Sequence, residues 1–145
     1  MPMPAQPPTH AEIDLGRVAA MGLELDELAD GGDRVELAAV VELADDRGRP
    51  ASHYVAAIAL ATDLRIASTA KLELVVCAGN CQRYGALDVI EHAIPRAAAG
   101  AIALRAVTCL DRCAHAPACE LRGPAGTLVL APVTTAALDE AIAAL

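Results

Sequence analysis

The stretch KLELVVCAGNCQRYGALDVIEHAIPRAAAGAIALRAVTC, residues 71–109, decides the fold. Leu72, Leu74, Val75 and Val76 form a short apolar run that fits a largely buried strand and breaks off at Cys77. Gly85 to Ala99 then reads as a helix, with Leu87, Ile90 and Ile94 facing inward and Pro95 late enough to kink or tighten the last turn. Ile102 to Val107 is a second strand, again ending just ahead of a cysteine. A strand, a helix and a strand in this order give an α/β class.

Downstream, Glu120 to Arg122 and Thr127 to Ala131 flank Gly123-Pro124-Ala125-Gly126, a spacer that predicts a β-hairpin. Thr134 or Thr135 caps a final helix to Leu145. Upstream, Thr9 and Glu12 have capping-box spacing, so a first helix is expected to about Met21. Asp33 and Glu36 repeat that signature before Val35, Leu37, Val40, Val41 and Leu43, a second helix ending near Gly48. Arg49-Pro50 makes a turn, and Ser52 caps a third helix carrying Tyr54, Val55, Ile58 and Leu60 to Leu64. The expected organisation is a proline-rich tail at 1–8, a small helical bundle at 9–68 and an α/β domain at 69–145.

A chain of 145 residues with 55% hydrophobic content suffices for one compact domain, or a small domain with a helical extension. Two Tyr and no Phe or Trp leave the core to Ala, Val, Leu and Ile, and argue against an aromatic platform for nucleic acid. A net charge of −8 points the same way, because nonspecific nucleic-acid binding is driven by Lys and Arg displacing counterions. No apolar run reaches the roughly 20 residues of a spanning helix, so no membrane insertion is expected. MPMPAQPPTH has neither the basic start nor the apolar stretch of a signal peptide, and a cytoplasmic location is the expectation.

In a reducing compartment, clustered cysteines are metal ligands or redox groups more often than disulfide partners. Cys77 and Cys81, and again Cys109 and Cys113, are separated by three residues, and residues 82–108 lie between the pairs. Each pair begins where a strand ends. A [2Fe–2S] cluster needs four soft thiolates, two for each tetrahedral iron, and four are present. The same four thiolates also suit a structural zinc ion. A thiol–disulfide oxidoreductase would ordinarily have two residues between its cysteines at a helix N-terminus. Buried cysteines acting only as small hydrophobes in a scaffold are a further reading. Gly79 and Gly85 would ease close approach of backbone to sulfur; Arg83 and Arg112 are either placed to raise a cluster's potential or are solvated arginines in surface loops. Cys119 is expected to pack in the core. His115 is a loop residue near the second pair. Tyr54 and Tyr84 are read as packing residues, and His10, His53 and His92 form no site. There is no phosphate loop, Ser-His-Asp arrangement or dinucleotide fingerprint.

VCAGNCQRYGA (76–86), TCLDRCAHAP (108–117) and VLAPVTTAALDEAI (129–142) resemble the thioredoxin-like [2Fe–2S] ferredoxins, in particular the family of the small subunit of NADH:quinone oxidoreductase. Related subunits occur in NAD-dependent formate dehydrogenases and bidirectional hydrogenases. The likeness covers 72–145 and extends more weakly to VVELADDRGRPASHYVAAIALATDL (40–64), which resembles those subunits' helical extension. The resemblance implies a thioredoxin-like [2Fe–2S] ferredoxin domain at 69–145 with Cys77, Cys81, Cys109 and Cys113 as the ligands. It also implies an electron-transfer subunit, non-catalytic alone, exchanging single electrons with a flavin- and NAD-binding partner subunit in a hetero-oligomeric dehydrogenase. The family's first pair usually has four or more intervening residues, one more than this chain has, which leaves a zinc-binding or cluster-less structural subunit as the alternative.

Overall fold

A computed structural model describes residues 8–111 and 115–145. It is mixed α/β, with five α-helices among the described residues: α1 (Leu15–Ala29), α2 (Leu37–Arg47), α3 (Ala51–Ala61), α4 (Ala86–Ala98) and α5 (Thr135–Ala143). The strands are β1 (Arg34–Val35), β2 (Arg65–Ile66), β3 (Glu73–Cys77), β4 (Ala103–Val107), β5 (Cys119–Gly123) and β6 (Gly126–Leu130).

The last four strands form one sheet in the order β4-β3-β5-β6. β3 and β4 are parallel, with Leu74 opposite Leu104 and Val76 opposite Ala106. A parallel pair needs a crossover, and α4 supplies it. β5 runs antiparallel to β3, with Leu121 opposite Leu74 and Cys119 opposite Val76, and turns through Pro124-Ala125 into β6. Because side chains alternate across a strand, this register collects Leu74, Val76, Leu104, Cys119 and Leu121 on one face, all buried in the core. α4 packs on that face with Ala86, Val89, Ile90, Ala93 and Ile94 buried. The opposite face carries Glu73, Glu120 and Arg122, whose guanidinium lies 2.9 Å from Glu120 and 3.9 Å from Glu73.

The helical segment departs from expectation at its ends. The first helix begins at Leu15, not after Thr9, because Asp14 caps it by accepting from the Arg17 N–H at 3.1 Å. It continues past Met21 to Ala29, and Gly22 inside it allows a close crossing with α3: a Cβ there would sit 2.7 Å from Ala61 Cβ. Val35 does not join the second helix. With Arg34 it pairs in parallel with Arg65–Ile66, and α3 ends at Ala61, so Leu64 lies in the turn before that ladder and not in the third helix. Ser52 does not cap the third helix, whose N-cap is Pro50; the Ser52 N–H donates instead to Glu91 Oε2 at 2.9 Å. That bond ties α3 to α4.

One hydrophobic cluster runs from Ile13 through Tyr54, Val55 and Ile58 to Ile90, Leu104 and Leu138, so the segments 9–68 and 69–145 share a core. Thr9 and His10 lie in an irregular lead-in before α1; both their N–H groups donate to the Arg83 carbonyl, at 2.9 and 3.0 Å. No helix of the described residues is long and apolar enough to cross a membrane.

Candidate thiolate site

The first cysteine pair sits where β3 ends. Cys77 is the strand's last residue, and a 3-10 turn at Asn80–Tyr84 carries Cys81 back beneath it. Both cysteines are buried. Gln82, one of two buried polar side chains among the described residues, locks the turn by donating to the Ala78 carbonyl at 2.6 Å and accepting from the Ile13 N–H at 2.9 Å. A buried amide satisfied at both ends fixes a loop that short turns alone would leave loose.

The loop after β4 is pressed onto this turn. Ala78 N–H donates to the Val107 carbonyl at 2.7 Å, and a Cβ on Gly79 would stand 2.2 Å from the Thr108 carbonyl oxygen. Only glycine permits that approach. The closeness sets Cys77 Sγ 3.7 Å from the Thr108 carbonyl, and the backbone amides of Gly79, Cys81 and Leu110 act on the thiol to favour its ionised form. The Cys81 thiol is the largest influence on Cys77; with these amides it outweighs burial and lowers the Cys77 pKa to about 6. These influences favour the ionised form of Cys77, whose sulfur also lies 3.7 Å from the Thr108 carbonyl of the second cysteine loop.

Cys109 is exposed, and its sulfur accepts from the Asp111 N–H at 3.2 Å within its own loop. The structure brings Cys77 and Cys81 together and places Cys109 on the adjoining loop. Cys113 and Arg112 lie outside the described residues. Among the described residues no group of three or more His, Cys, Asp or Glu side chains is arranged to hold a metal ion. Two buried thiols and an exposed one on the adjoining loop are the soft donors, with a backbone N–H on the Cys109 sulfur, that a thiophilic group takes.

Other expected neighbours are placed differently. Arg83 is ion-paired with Glu12. Gly85 serves the turn's end with φ 99°, and its nearest non-local neighbour is the His10 ring, not a sulfur. Cys119 lies in the core of β5, where burial pushes its pKa up to about 12, far from a ligand's thiolate state. His115 is exposed. Tyr54 is buried and also polar in role, donating to Glu24 Oε2 at 3.1 Å. Thr108, Leu110 and Gln82 were not legible as site residues. The first two act through backbone atoms, which no residue type announces, and the third was identifiable only as an amide inside a cysteine turn.

No family model matches the chain, and no curated protein matches it.

Proposed function

We propose that Cys77, Cys81, Cys109 and Cys113 hold a [2Fe–2S] cluster in a thioredoxin-like domain, and that the chain passes single electrons as a subunit beside a flavin- and NAD-binding partner. The observation that carries the reading is the contact between the two cysteine loops: Ala78 N–H donates to the Val107 carbonyl at 2.7 Å, and Cys77 Sγ lies 3.7 Å from the Thr108 carbonyl, one residue before Cys109. The sheet order β4-β3-β5-β6, with a helical crossover and a cysteine at each of two adjacent strand ends, supports the thioredoxin-like assignment.

When bound, such a cluster supplies one-electron storage at a potential set by charge, hydrogen bonds and exposure. The chain's own contribution is to hold the thiolates, direct amides at sulfur and exclude water at Cys77 and Cys81. In this reading the chain stores and passes electrons, and substrate turnover belongs to the partner.

Iron, zinc and acid-labile sulfide per chain, measured on protein purified without oxygen, test the proposal. About two irons and two sulfides are expected. Cys109→Ser should greatly reduce both, and Cys119→Ser should leave them unchanged; equal loss from the two would overturn the ligand assignment. Zinc without sulfide would identify a structural metal protein, and neither metal a scaffold without a cluster.

A further inference from the structure

A cavity of about 290 Å3 lies between α3, the α3–β2 turn and the outer edge of β4, reaching Thr108 at its far end. Val55 and Ile58 line its helical side, and Arg65 and Arg105 also line it. The chain has 19 carboxylates against 11 Lys and Arg, so a cation here is easily neutralised. Arg47, Arg49, Arg83, Arg96 and Arg122 all are. Arg65 and Arg105 form no ion pair or side-chain hydrogen bond among the described residues.

A further arginine, outside the lining, neighbours Arg65. Arg34 stands directly opposite Arg65 in the β1–β2 ladder, an arrangement of like charges that destabilises a strand pair unless something compensates it. Its contact to Asp33, at 4.0 Å and exposed, gives little compensation.

The edge of β4 contributes main-chain donors. Ala103 N–H donates to Leu72 and the Val107 carbonyl accepts from Ala78, so 103, 105 and 107 turn their polar groups toward β3. By alternation, Leu104 and Ala106 turn theirs outward, on the side where the sheet has no further strand and where both residues line the cavity.

We propose that this cavity binds a phosphoryl dianion between Arg65 and Arg105, with the outward β4 amides as further donors. Guanidinium forks match tetrahedral oxyanions and hold them by charge-assisted bonds. The volume lies at the lower end of the roughly 300–1,000 Å3 of small-molecule sites, which fits a phosphate or a compact phosphate ester and not a peptide. Asp63 lines the same cavity and opposes an anion there, which makes its removal diagnostic.

The test is calorimetric titration of the full chain with inorganic phosphate and, separately, with a nucleoside monophosphate. Saturable 1:1 binding is expected. Arg65→Gln and Arg105→Gln should each weaken it roughly tenfold, the scale of one lost charge-assisted contact, and Asp63→Asn should tighten it. Tighter binding of the nucleotide would identify an esterified phosphate as the ligand, and equal or weaker binding the free ion. No saturable binding of either, or affinities unmoved by both arginine changes, would overturn the proposal. Circular dichroism establishes that the variants fold; should Arg105→Gln not fold, Arg65→Gln, at an exposed position, decides alone.

Discussion

Gly79 shows how one residue type sets the geometry of the thiolate site. Its missing side chain is the space occupied by the Thr108 carbonyl, so Gly79→Ala would force the two cysteine loops apart. Overpacking of this kind costs about 1–3 kcal/mol. The variant should unfold at lower urea concentration and retain less iron than the wild type, because the displacement also withdraws the Leu110 amide from Cys77. Unchanged iron content would show that the loops need not touch. Cys77 itself gives a pH signature in metal-free protein. Its folded pKa of about 6 lies below the ordinary 9.0, so between these values the unfolded chain binds a proton that the folded chain does not. Stability from this group therefore rises with pH across that window, is complete above the ordinary value and is lost as pH falls through about 6. The ultraviolet absorbance of thiolate should show a midpoint near 6 that Cys77→Ser removes. Cys119, at about 12, stays protonated throughout.

Among the elements, α5 depends most visibly on ion pairing. Asp139 accepts from His92 at 2.8 Å and pairs with Arg96 at 2.6 Å, clamping α5 to α4. The His92 hydrogen bond first, and Arg96 with it, hold the Asp139 carboxyl below its ordinary range. The clamp is thus fully present above that range and fades as the pH drops beneath it. Asp139→Asn should raise amide hydrogen exchange across α5 at neutral pH, and the difference from wild type should vanish in acid. The elements also show what the chain made legible. β3, β4, α4 and the hairpin are readable because apolar runs, periodic faces and a turn-rich spacer are local signals. The start of α1 did not, since Thr9/Glu12 and Asp14 both have cap chemistry and only tertiary bonds from Arg83 draw the first pair into the lead-in. Val35 failed for a related reason: at helical spacing it looks like part of a stripe, and its strand partner Ile66 lies 31 positions away. The same distinction divides the thiolate site. Cysteine spacing is local and readable, whereas the amide of Leu110 reaches Cys77 only through the fold.

At the scale of the molecule, α3 decides whether 69–145 stands alone. Ala51, Tyr54, Val55, Ala56, Ala57 and Ile58 of this helix are all buried, and it packs against α1, α4 and β4 at once. Burying a large apolar side chain is worth about 1.5–3 kcal/mol, so withdrawing Val55 and Ile58 alone forfeits roughly 3–6 kcal/mol. Small domains have only about 5–15 kcal/mol in total. The Ser52–Glu91 bond and the lead-in's bonds to Arg83 and Gln82 would go as well, freeing the turn that carries Cys81. A chain starting at residue 69 should therefore bind a hydrophobic dye, unfold without a sharp transition and hold iron poorly. The full chain should unfold in one step, with fluorescence of a bound dye, circular dichroism and thiol accessibility changing together. Separate transitions in the full chain, or a cooperative and iron-loaded 69–145 fragment, would show that the helical segment is an appendage whose burial the core can spare.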